Sequence, residues 1–489
     1  METSLSTSNS LHVKFTNFKY DENKYYFLFI TELKAYGIGH FFKEAISKAF
    51  KIDFNKIEFI SISPDLFEQY NYDNVIIINN LPPKVNKRKS HDEFMEEISQ
   101  SSYINSIVDT ILENQNELFI YMFETSPYMN LDKKKGVKLI GPNKDIVSTL
   151  SNKVALYEIF APLVPMSNFF IADSFEEMIK KSTKLFKDSN QSLFVSLTKS
   201  AAGANSIIAN SIDDLKKKFS QVGNEVFLIT QFIPHICDPT SLGVVINEDE
   251  VYIAGVADQR IDGTKFKGST FPSKLPINIQ KEIIKLTRII GKKMAQLGYR
   301  GIFGCDFIVT QKGEVYFIET NPRKQGTTME FCCTLKTTLP KDSPNLPELE
   351  LYAVTKNKKA PKMVEPSFFE KPPVFWGTYN YKIEQRLTTN SYLPQQSGEI
   401  QMFENIAKNK ISKEFMVVEH IGQDFFVNEG SFLGRVIAVG KSHKDVEDGI
   451  DMGRRILKYT IKNIEDTNFT PQERCFVCPY YIKGLKNAM

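Results

Sequence analysis

Between Gly298 and Gly326 the chain reads GYRGIFGCDFIVTQKGEVYFIETNPRKQG, and the fold prediction begins with this stretch. Two short apolar runs, CDFIVT and VYFIET, flank the turn-type link QKGE, so the sequence predicts a β-hairpin. If the turn is symmetric about its Lys-Gly centre, Asp306 lies directly opposite Glu319 on the neighbouring strand. The sequence therefore places two carboxylates side by side.

This carboxylate pair predicts a metal site. Two like charges across a hairpin cost stability unless a proton or a cation resolves them. Side chains alternate along a strand, so Glu319, Asn321 and Arg323 share one face if the chain stays extended past Pro322. With Asp306, the carboxylate and amide oxygens form a hard ligand set suited to Mg²⁺, or to Mn²⁺ in its place. The guanidinium of Arg323 is suited to grip a carboxylate or phosphate.

The alternative for this stretch is a surface hairpin with solvated acids. Its strands are too apolar for that, because exposed hairpins do not usually carry runs such as FIV and VYFI. An acid on one strand, followed by Glu-x-Asn-x-Arg on the next, resembles the metal-and-phosphate signature of the ATP-grasp superfamily. The YRG opening and ETNPR close are most similar to the carboxylate-amine ligases and biotin carboxylases of that superfamily.

The resemblance implies a mixed α/β and α+β fold in three parts. It implies an N-terminal open α/β domain over residues 1–142 and a two-lobed ATP-grasp domain over 143–340. Its mobile lid lobe would span about 168–228, and a C-terminal α+β domain would span 341–489. In the N-terminal domain, apolar strand-like runs alternate with helical stretches, and that alternation is typical of an open α/β layer. ATP would bind between the two lobes of the central domain.

The segment GPNKDIVSTLSNKVALYEIF predicts one helix, capped by Asn143 and ending near Pro162. Lys153 lies off its apolar stripe, and composition alone describes an ordinary solvated lysine. The segment resembles the superfamily's entry helix, whose lysine reaches the nucleotide phosphates. The resemblance therefore implies that Lys153 binds ATP.

A run of small residues, TKSAAGANS, follows the predicted strand LFVSL. Small side chains let backbone N–H groups face a triphosphate, and Lys199 adds a positive charge. The resemblance implies that Lys199, Ser200 and Gly203 bind ATP and that Lys199 takes part in phosphoryl transfer. A bland small-residue loop is the alternative for this segment.

The run EVFLITQFI matches the superfamily's hinge strand, whose backbone pairs with the adenine edge. The resemblance implies nucleotide contacts at Thr230, Gln231 and Ile233, although many relatives carry glutamate where Thr230 stands. It further implies acceptor-substrate contacts at three residues. These are Arg323, which is also the expected catalytic group, Gln325 and Asp258.

Composition limits the partners of this 489-residue chain. Its formal net charge is only +3 with acids and bases interspersed, which argues against a nucleic-acid track or a membrane-surface patch. The polar start METSLSTSNS and the lack of a long apolar run indicate a cytoplasmic protein. Six cysteines in so long a chain are no disulfide framework, and Cys475-x-x-Cys478 is left open as half a zinc site or a redox pair. A homodimer is expected by resemblance alone.

The function expected from these residues is ATP-dependent ligation of a small carboxylic acid to an amine through an acyl phosphate, with ADP and phosphate as products. Biotin carboxylase-like carboxylation is the rival. Its enzymes place a glutamate base shortly after the arginine, where this chain has Thr327, and no biotinyl-lysine segment is present. The third possibility is an inactive nucleotide-binding regulator, disfavoured because the transfer groups are retained together.

Overall fold

The structure is a computed structural model. It describes residues 12–13, 18–32, 35–64, 74–77, 90–189, 191–198, 205–223, 225–263, 265–356, 361–366, 372, 374–384, 387–388, 398–418, 426–427 and 432–461. These residues form twenty strands in four sheets and twelve α-helices. Within this part of the chain, no helix is both long and apolar enough to cross a bilayer.

The N-terminal part is an open α/β layer. Its strands are β1 (His12–Val13), β2 (Tyr25–Ile30), β3 (Ile57–Ser63), β4 (Val75–Ile77), β5 (Leu118–Met122) and β6 (Val137–Ile140), and its helices are α1 (Ile38–Phe50), α2 (His91–Gln100) and α3 (Ser102–Asn114). The strand order is β1-β4-β3-β2-β5-β6, and every pair except β1–β4 is parallel. The strand order therefore reverses between β2 and β5, which makes this layer doubly wound.

Strand β2 shows why this layer is covered on both faces. Phe27 and Phe29 pack into the hydrophobic cluster that contains α1, whereas Leu28 and Ile30 pack into the cluster built by α2 and α3. Because both faces are buried, the strand reads as a continuous apolar run rather than an alternating one. Such apolar runs alternate with helices along this part of the chain, as the sequence pattern predicted.

The lid lobe is a small four-stranded sheet with its own core. It contains β7 (Phe169–Ala172), β8 (Leu193–Leu197), β9 (Ser206–Ala209) and β10 (Phe227–Gln231), with α6 (Phe175–Ser189) and α7 (Ile212–Phe219). The order is β7-β10-β8-β9, and all pairs are antiparallel. A separate cluster of buried side chains fills this lobe.

Two helices, α4 (Lys144–Ser151) and α5 (Lys153–Phe160), precede the lobe, so the prediction of one continuous helix is wrong. The helix breaks at Asn152, whose backbone is extended at φ −82° and ψ 114°. Its side-chain oxygen accepts hydrogen bonds from the N–H groups of Val154 and Ala155. Asparagine competes with helix continuation through such local bonds and starts a new helix instead.

The central and C-terminal parts share one sheet. The strands are β11 (Pro239–Val245), β12 (Val251–Asp262), β13 (Lys265–Phe271), β14 (Gly301–Val309), β15 (Val315–Asn321), β16 (Phe375–Lys382), β17 (Leu387–Thr388), β18 (Lys413–Val418), β19 (Phe426–Val427) and β20 (Phe432–Gly440). The helices are α8 (Ile277–Gln296), α9 (Thr328–Thr338), α10 (Leu346–Thr355), α11 (Glu399–Ala407) and α12 (His443–Tyr459). Eight strands pair in the order β15-β14-β11-β12-β13-β16-β20-β18, and β17 pairs with β19 separately.

This sheet crosses the predicted domain boundary at residue 340, since β13 pairs with β16. Trp376 of β16 is fully buried, stacks on Phe271 at 5.3 Å and donates to Thr334 Oγ1 at 3.0 Å. The last part of the chain is therefore built onto the central sheet. The division into three domains is still a prediction.

Candidate functional site

A cleft of about 230 Å³ lies between the lid-lobe sheet and the central sheet. Six of the predicted site residues line it: Lys153, Thr230, Gln231, Ile233, Asp306 and Glu319. They come from α5, from the end of β10 and the residues after it, and from the β14–β15 hairpin. The fold thus brings the predicted lysine, hinge and acids to one place, although they are far apart in sequence.

The floor of the cleft is the β14–β15 hairpin, in which Asp306 pairs with Glu319 as predicted. The pairing is reached differently from the expected symmetric turn. Near the turn Phe307 faces Phe317, and the register shifts by one residue between that pair and Asp306. Ile318 is the extra residue of a β-bulge, and Ile318 and Glu319 both line the cleft. A bulge places two residues opposite one, so it supplies an apolar side chain and an acid together.

The two acids occupy different electrostatic environments. Burial and the neighbouring Glu319 charge raise the pKa of Asp306 to about 6. Its Oδ1 atom is shielded from solvent and, among the described residues, accepts no hydrogen bond. Glu319 Oε2 instead forms an ion pair with the ammonium of Lys153, whose side chain is only 15% exposed. One acid is thus paired with a cation, and the other has an unused buried oxygen.

Asn321 and Arg323 continue this row of polar groups. Asn321 Nδ2 donates to Asp306 Oδ2 at 2.9 Å, and Arg323 Nη2 donates to Asn321 Oδ1 at 3.3 Å. Arg323 also pairs with Glu124 through Nε at 3.2 Å and donates to Lys324 O through Nη1 at 2.9 Å. The guanidinium is therefore held between the hairpin and the N-terminal layer, beyond the metal-ligand candidates.

The donor set fits a hard divalent cation. Asp306 and Asn321 touch, Glu319 is paired with Asp306 across the strands, and the unused Asp306 oxygen is the kind of atom that a cation would satisfy. Within the described part of the chain, no cluster of three or more His, Cys, Asp or Glu side chains is arranged to hold a metal ion. A cation here would depend on the Asn321 amide and on oxygens brought by a ligand.

Lys153 owes its position to the helix break. It is the first residue of α5, directly after Asn152, and its backbone N–H donates to Thr198 O at 2.9 Å. Thr198 follows the lid strand β8, so this bond joins the entry helix to the lid lobe. The lysine side chain then reaches Glu319 on the cleft floor.

The hinge segment is fixed by two residues that the sequence analysis missed. Ser167 Oγ donates to Gln231 O at 2.6 Å, and His235 Nδ1 donates to Ile233 O at 2.7 Å. Thr230 turns its hydroxyl toward the lid and donates to Phe194 O at 3.2 Å. Its side chain therefore bonds within the lid-lobe sheet, and a nucleotide contact at Thr230 stays a prediction.

His235 faces an acceptor with each ring nitrogen. Besides the Ile233 carbonyl, its Nε2 lies 3.1 Å from Asp238 Oδ1. A neutral imidazole has one N–H, so two acceptors favour the charged form. Asp238 is the main cause that raises the pKa of His235 above its ordinary value of 6.5, against a smaller opposing effect of burial. Closeness in sequence to Ile233 was the one sequence signal that could have found His235.

Two predicted substrate residues point elsewhere. Asp258 accepts hydrogen bonds from Ser273 Oγ at 2.5 Å and from Lys274 N at 2.7 Å, and its side chain is buried. It holds the loop after β13 in place, and the contact of Asp258 with substrate stays a prediction. Gln325 is also buried and donates to Thr240 Oγ1 at 3.0 Å, one layer behind the cleft floor. Its substrate role stays a prediction.

Several predicted residues lie outside the described part of the chain. These are Lys199, Ser200 and Gly203 of the expected phosphate loop, and Cys475 and Cys478. The described flanks of the loop, β8 and β9, pair with each other across its ends. These two flanking strands belong to the lid sheet that forms one wall of the cleft.

Comparison with known proteins adds independent findings. A family model described as an ATP-grasp domain matches residues 150–327. An L-propargylglycine–L-glutamate ligase of Streptantibioticus cattleyicolor is 27% identical over 125 residues, which are 25% of this chain and 25% of that protein. A 2-oxoglutarate carboxylase small subunit of Hydrogenobacter thermophilus is 23% identical over 246 residues, 46% of this chain and 50% of that protein. A biotin carboxylase structure from Campylobacter jejuni has a TM-score of 0.59 at 14% identity, covering 89% of this chain and 91% of that one.

The chain thus spans between a quarter and a half of the length of these two curated relatives. The structural match extends over nearly the full length of both chains and shows a shared fold. The predicted mixed α/β and α+β fold class is confirmed. Residues 150–327 therefore form an ATP-grasp domain, and the chain resembles the ligases and carboxylases that share this domain.

Proposed function

We propose that this protein is an ATP-dependent carboxylate-amine ligase that forms an amide or peptide bond through an acyl phosphate. The observation that carries the proposal is the cleft floor, where Asp306 and Glu319 are paired beside the Lys153 ammonium and within reach of Asn321. Phosphoryl transfer demands positioned positive charge rather than a strong protein base. Two partly buried acids beside a lysine support the binding of a nucleotide with its cation here.

In the proposed reaction, the substrate carboxylate attacks the γ-phosphorus of ATP, the bond to the β-phosphate oxygen breaks, and ADP leaves. The amine then attacks the acyl carbon, phosphate leaves, and the amine gives up a proton. Mg²⁺ bound at Asp306, Glu319 and Asn321 would neutralise charge on the phosphates. Lys153 would move from Glu319 to the phosphates, and Lys199 is proposed to act with it from the lid.

The acceptor is proposed to bind where the N-terminal layer meets the hairpin. In open α/β sheets, ligands bind beyond the carboxyl ends of the strands, at the point where the strand order reverses. Here that point lies between β2 and β5. Phe123 and Glu124 directly follow β5, and Arg323 contacts both, with its guanidinium 5.9 Å from the Phe123 ring centre. These contacts support the proposal that Arg323 holds an acceptor carboxylate beside the nucleotide.

Carboxylation is the second candidate, favoured by the similarity to a 2-oxoglutarate carboxylase small subunit. The local structure gives it less support. Thr327 occupies the place of the expected base, and its hydroxyl is buried. A hydroxyl of ordinary acidity cannot deprotonate bicarbonate near neutral pH. The amino-acid ligase named among the relatives favours an amino acid as one substrate.

The test is an ADP-release screen of purified protein with Mg²⁺ and ATP. Amino acids and other carboxylic acids are offered in pairs with amines, and one arm offers bicarbonate with biotin. We expect ADP release that requires both an acid and an amine, with a condensed product in the mass spectrum. Glu319→Gln should remove this activity while the protein stays folded. ADP release with bicarbonate and biotin alone would replace the proposal with carboxylation, and release with no acceptor pair would refute ligation.

A further inference from the structure

One wall of the cleft is the hairpin formed by β12 and β13. Gln259, Ile261 and Gly263 of this hairpin line the cleft, and Phe266 does so from the returning strand. The pocket that we assign to ATP is therefore closed on this side by a two-stranded ribbon. The position of this ribbon decides how tightly the cleft can enclose a nucleotide.

The ribbon extends beyond its neighbours in the sheet. Strand β11 pairs with β12 only as far as Asp258, and β16 pairs with β13 only at Thr270 and Phe271. From Arg260 to the turn, β12 and β13 therefore pair with each other alone. An isolated two-stranded hairpin is marginally stable in water, so this one needs an anchor.

The base of the ribbon is held by close packing on β16. Gly268 has φ +145°, and a Cβ atom placed there would lie 2.1 Å from Thr378 O. Ser269 N also donates to Thr378 Oγ1 at 3.0 Å. This contact fixes where the ribbon begins but not where its cleft-facing end lies.

An ion pair holds the ribbon further out. Gln259 and Ile261 face the cleft, so Arg260 between them points to the opposite face. There its Nη1 and Nη2 donate to Glu447 Oε2 and Oε1 at 2.9 and 2.6 Å. Two parallel hydrogen bonds fix the orientation of the Arg260 guanidinium as well as its distance from the Glu447 carboxylate. Lys274 lies 3.9 Å from the same Glu447 carboxylate.

Glu447 belongs to α12, in the last part of the chain. Val446 and Ile450 of this helix pack on Gly377 of β16, so α12 is fixed to the sheet. We propose that Glu447 is a positioning residue that holds the β12–β13 hairpin over the nucleotide cleft through Arg260. The inference rests on the proposed function only in identifying the occupant of the cleft as ATP.

The test compares Glu447→Gln with the wild-type enzyme. Loss of this partly exposed charged pair should raise the KM for ATP about two- to fivefold. The kcat should change less than the KM, because neither Arg260 nor Glu447 touches the cleft interior. In the ligand-free protein, amide hydrogen exchange in residues 259–268 should become faster. In the charge-reversed double variant R260E/E447R, the KM for ATP and the rate of hydrogen exchange should both return toward the wild-type values.

Arg288 and Glu365 provide a matched control, since they form an Arg–Glu pair at 2.5 Å that is not part of the cleft. Glu365→Gln should leave KM and exchange in residues 259–268 unchanged. The inference is overturned if Glu447→Gln, like Glu365→Gln, leaves the KM for ATP and the hydrogen exchange unchanged. It is also overturned if R260E/E447R restores neither quantity relative to Glu447→Gln. Calorimetric measurement of ADP binding distinguishes a failure of the proposed function from a failure of the role assigned to Glu447. A wild-type protein that binds no nucleotide contradicts the proposed function, whereas hydrogen exchange still tests the anchor by itself.

Discussion

Asp306 is a carboxylate whose environment opposes its ionisation. Burial and the Glu319 charge raise its pKa from 3.8 to about 6. The folded protein therefore binds this proton more tightly than the unfolded chain does. The contribution of Asp306 to the free energy of unfolding falls as the pH rises from about 4 to about 6 and then levels off, because above that range Asp306 is ionised in both states. A pKa shift of this size changes the free energy of unfolding by about 3 kcal/mol at most.

Asp306→Asn should therefore stabilise the ligand-free protein while abolishing ATP turnover. The gain in melting temperature should be larger at pH 7.5 than at pH 5, where wild-type Asp306 is mostly protonated in the folded state. Differential scanning fluorimetry at the two pH values measures this. Asp249→Asn, at an exposed loop carboxylate, is the control and should show no such pH dependence. A variant that melts below the wild type at pH 7.5 would contradict the strain assigned to Asp306.

The β14–β15 hairpin shows what local sequence could and could not predict. Its strands and the pairing of Asp306 with Glu319 followed from apolar runs, a turn link and two like charges. The bulge at Ile318 did not, because one extra residue inside the apolar run VYFI leaves no mark in the pattern. Asn152 did carry a helix-start signal, but the apolar stripe on both sides of it favoured a continuous helix.

The remaining parts of the site depend on contacts between distant segments. Ser167 fixes the hinge by donating to Gln231 O, which is 64 positions away and is brought beside it by tertiary structure, whereas His235 donates to the local carbonyl of Ile233. A lone serine or histidine has no sequence pattern that predicts such a partner. Arg260 and Glu447 are likewise 187 positions apart. The sequence therefore predicted the acids and the hinge strand, whose patterns are local, and missed the groups that hold them in place.

Strand β14 requires a glycine where the chain after β15 crosses it. A Cβ atom at Gly304 would lie 2.1 Å from the Gln325 side chain, which is bonded to Thr240. Thr240 in turn is paired with Asp306 across β11 and β14. Gly304→Ala must therefore displace Gln325, and we expect a loss of about 1–3 kcal/mol in the free energy of unfolding.

Denaturant titration measures this loss of stability, and a double-mutant cycle tests whether the Gly304–Gln325 contact causes it. Because Gln325→Ala removes the clashing atoms, the double variant should be more stable than the sum of the two single losses allows. Gly326→Ala is the matched control, since an added Cβ meets nothing within 4 Å there. Strictly additive losses, or an equal loss in Gly326→Ala, would show that the Gly304–Gln325 contact is not the cause.

The N-terminal layer and the ATP-grasp domain are joined through a buried ion pair directly beside Arg323. Lys324 Nζ lies 2.6 Å from Glu350 Oε2 of α10, and both side chains are fully buried. The same ammonium donates to Met122 O of β5 at 2.6 Å and lies 4.1 Å from the centre of the Tyr121 ring. Glu350 Oε1 also accepts from Ile302 N of β14 at 3.1 Å. One buried pair thus connects the N-terminal layer, the hairpin and α10.

Lys324→Met should weaken the connection between the N-terminal layer, the β14–β15 hairpin and α10. Removing one member leaves Glu350 buried without its cation, a change that typically costs about 3–5 kcal/mol. We expect a lower melting temperature and faster limited proteolysis between the N-terminal layer and the rest of the chain. Lys48 and Glu348 supply the control, since they join α1 to α10 at 2.8 Å but are more exposed. Lys48→Met should cost less than about 1 kcal/mol. Equal melting temperatures for the two variants would mean that the buried pair does not hold the layers together, and Arg323 would then need another support to reach the acceptor.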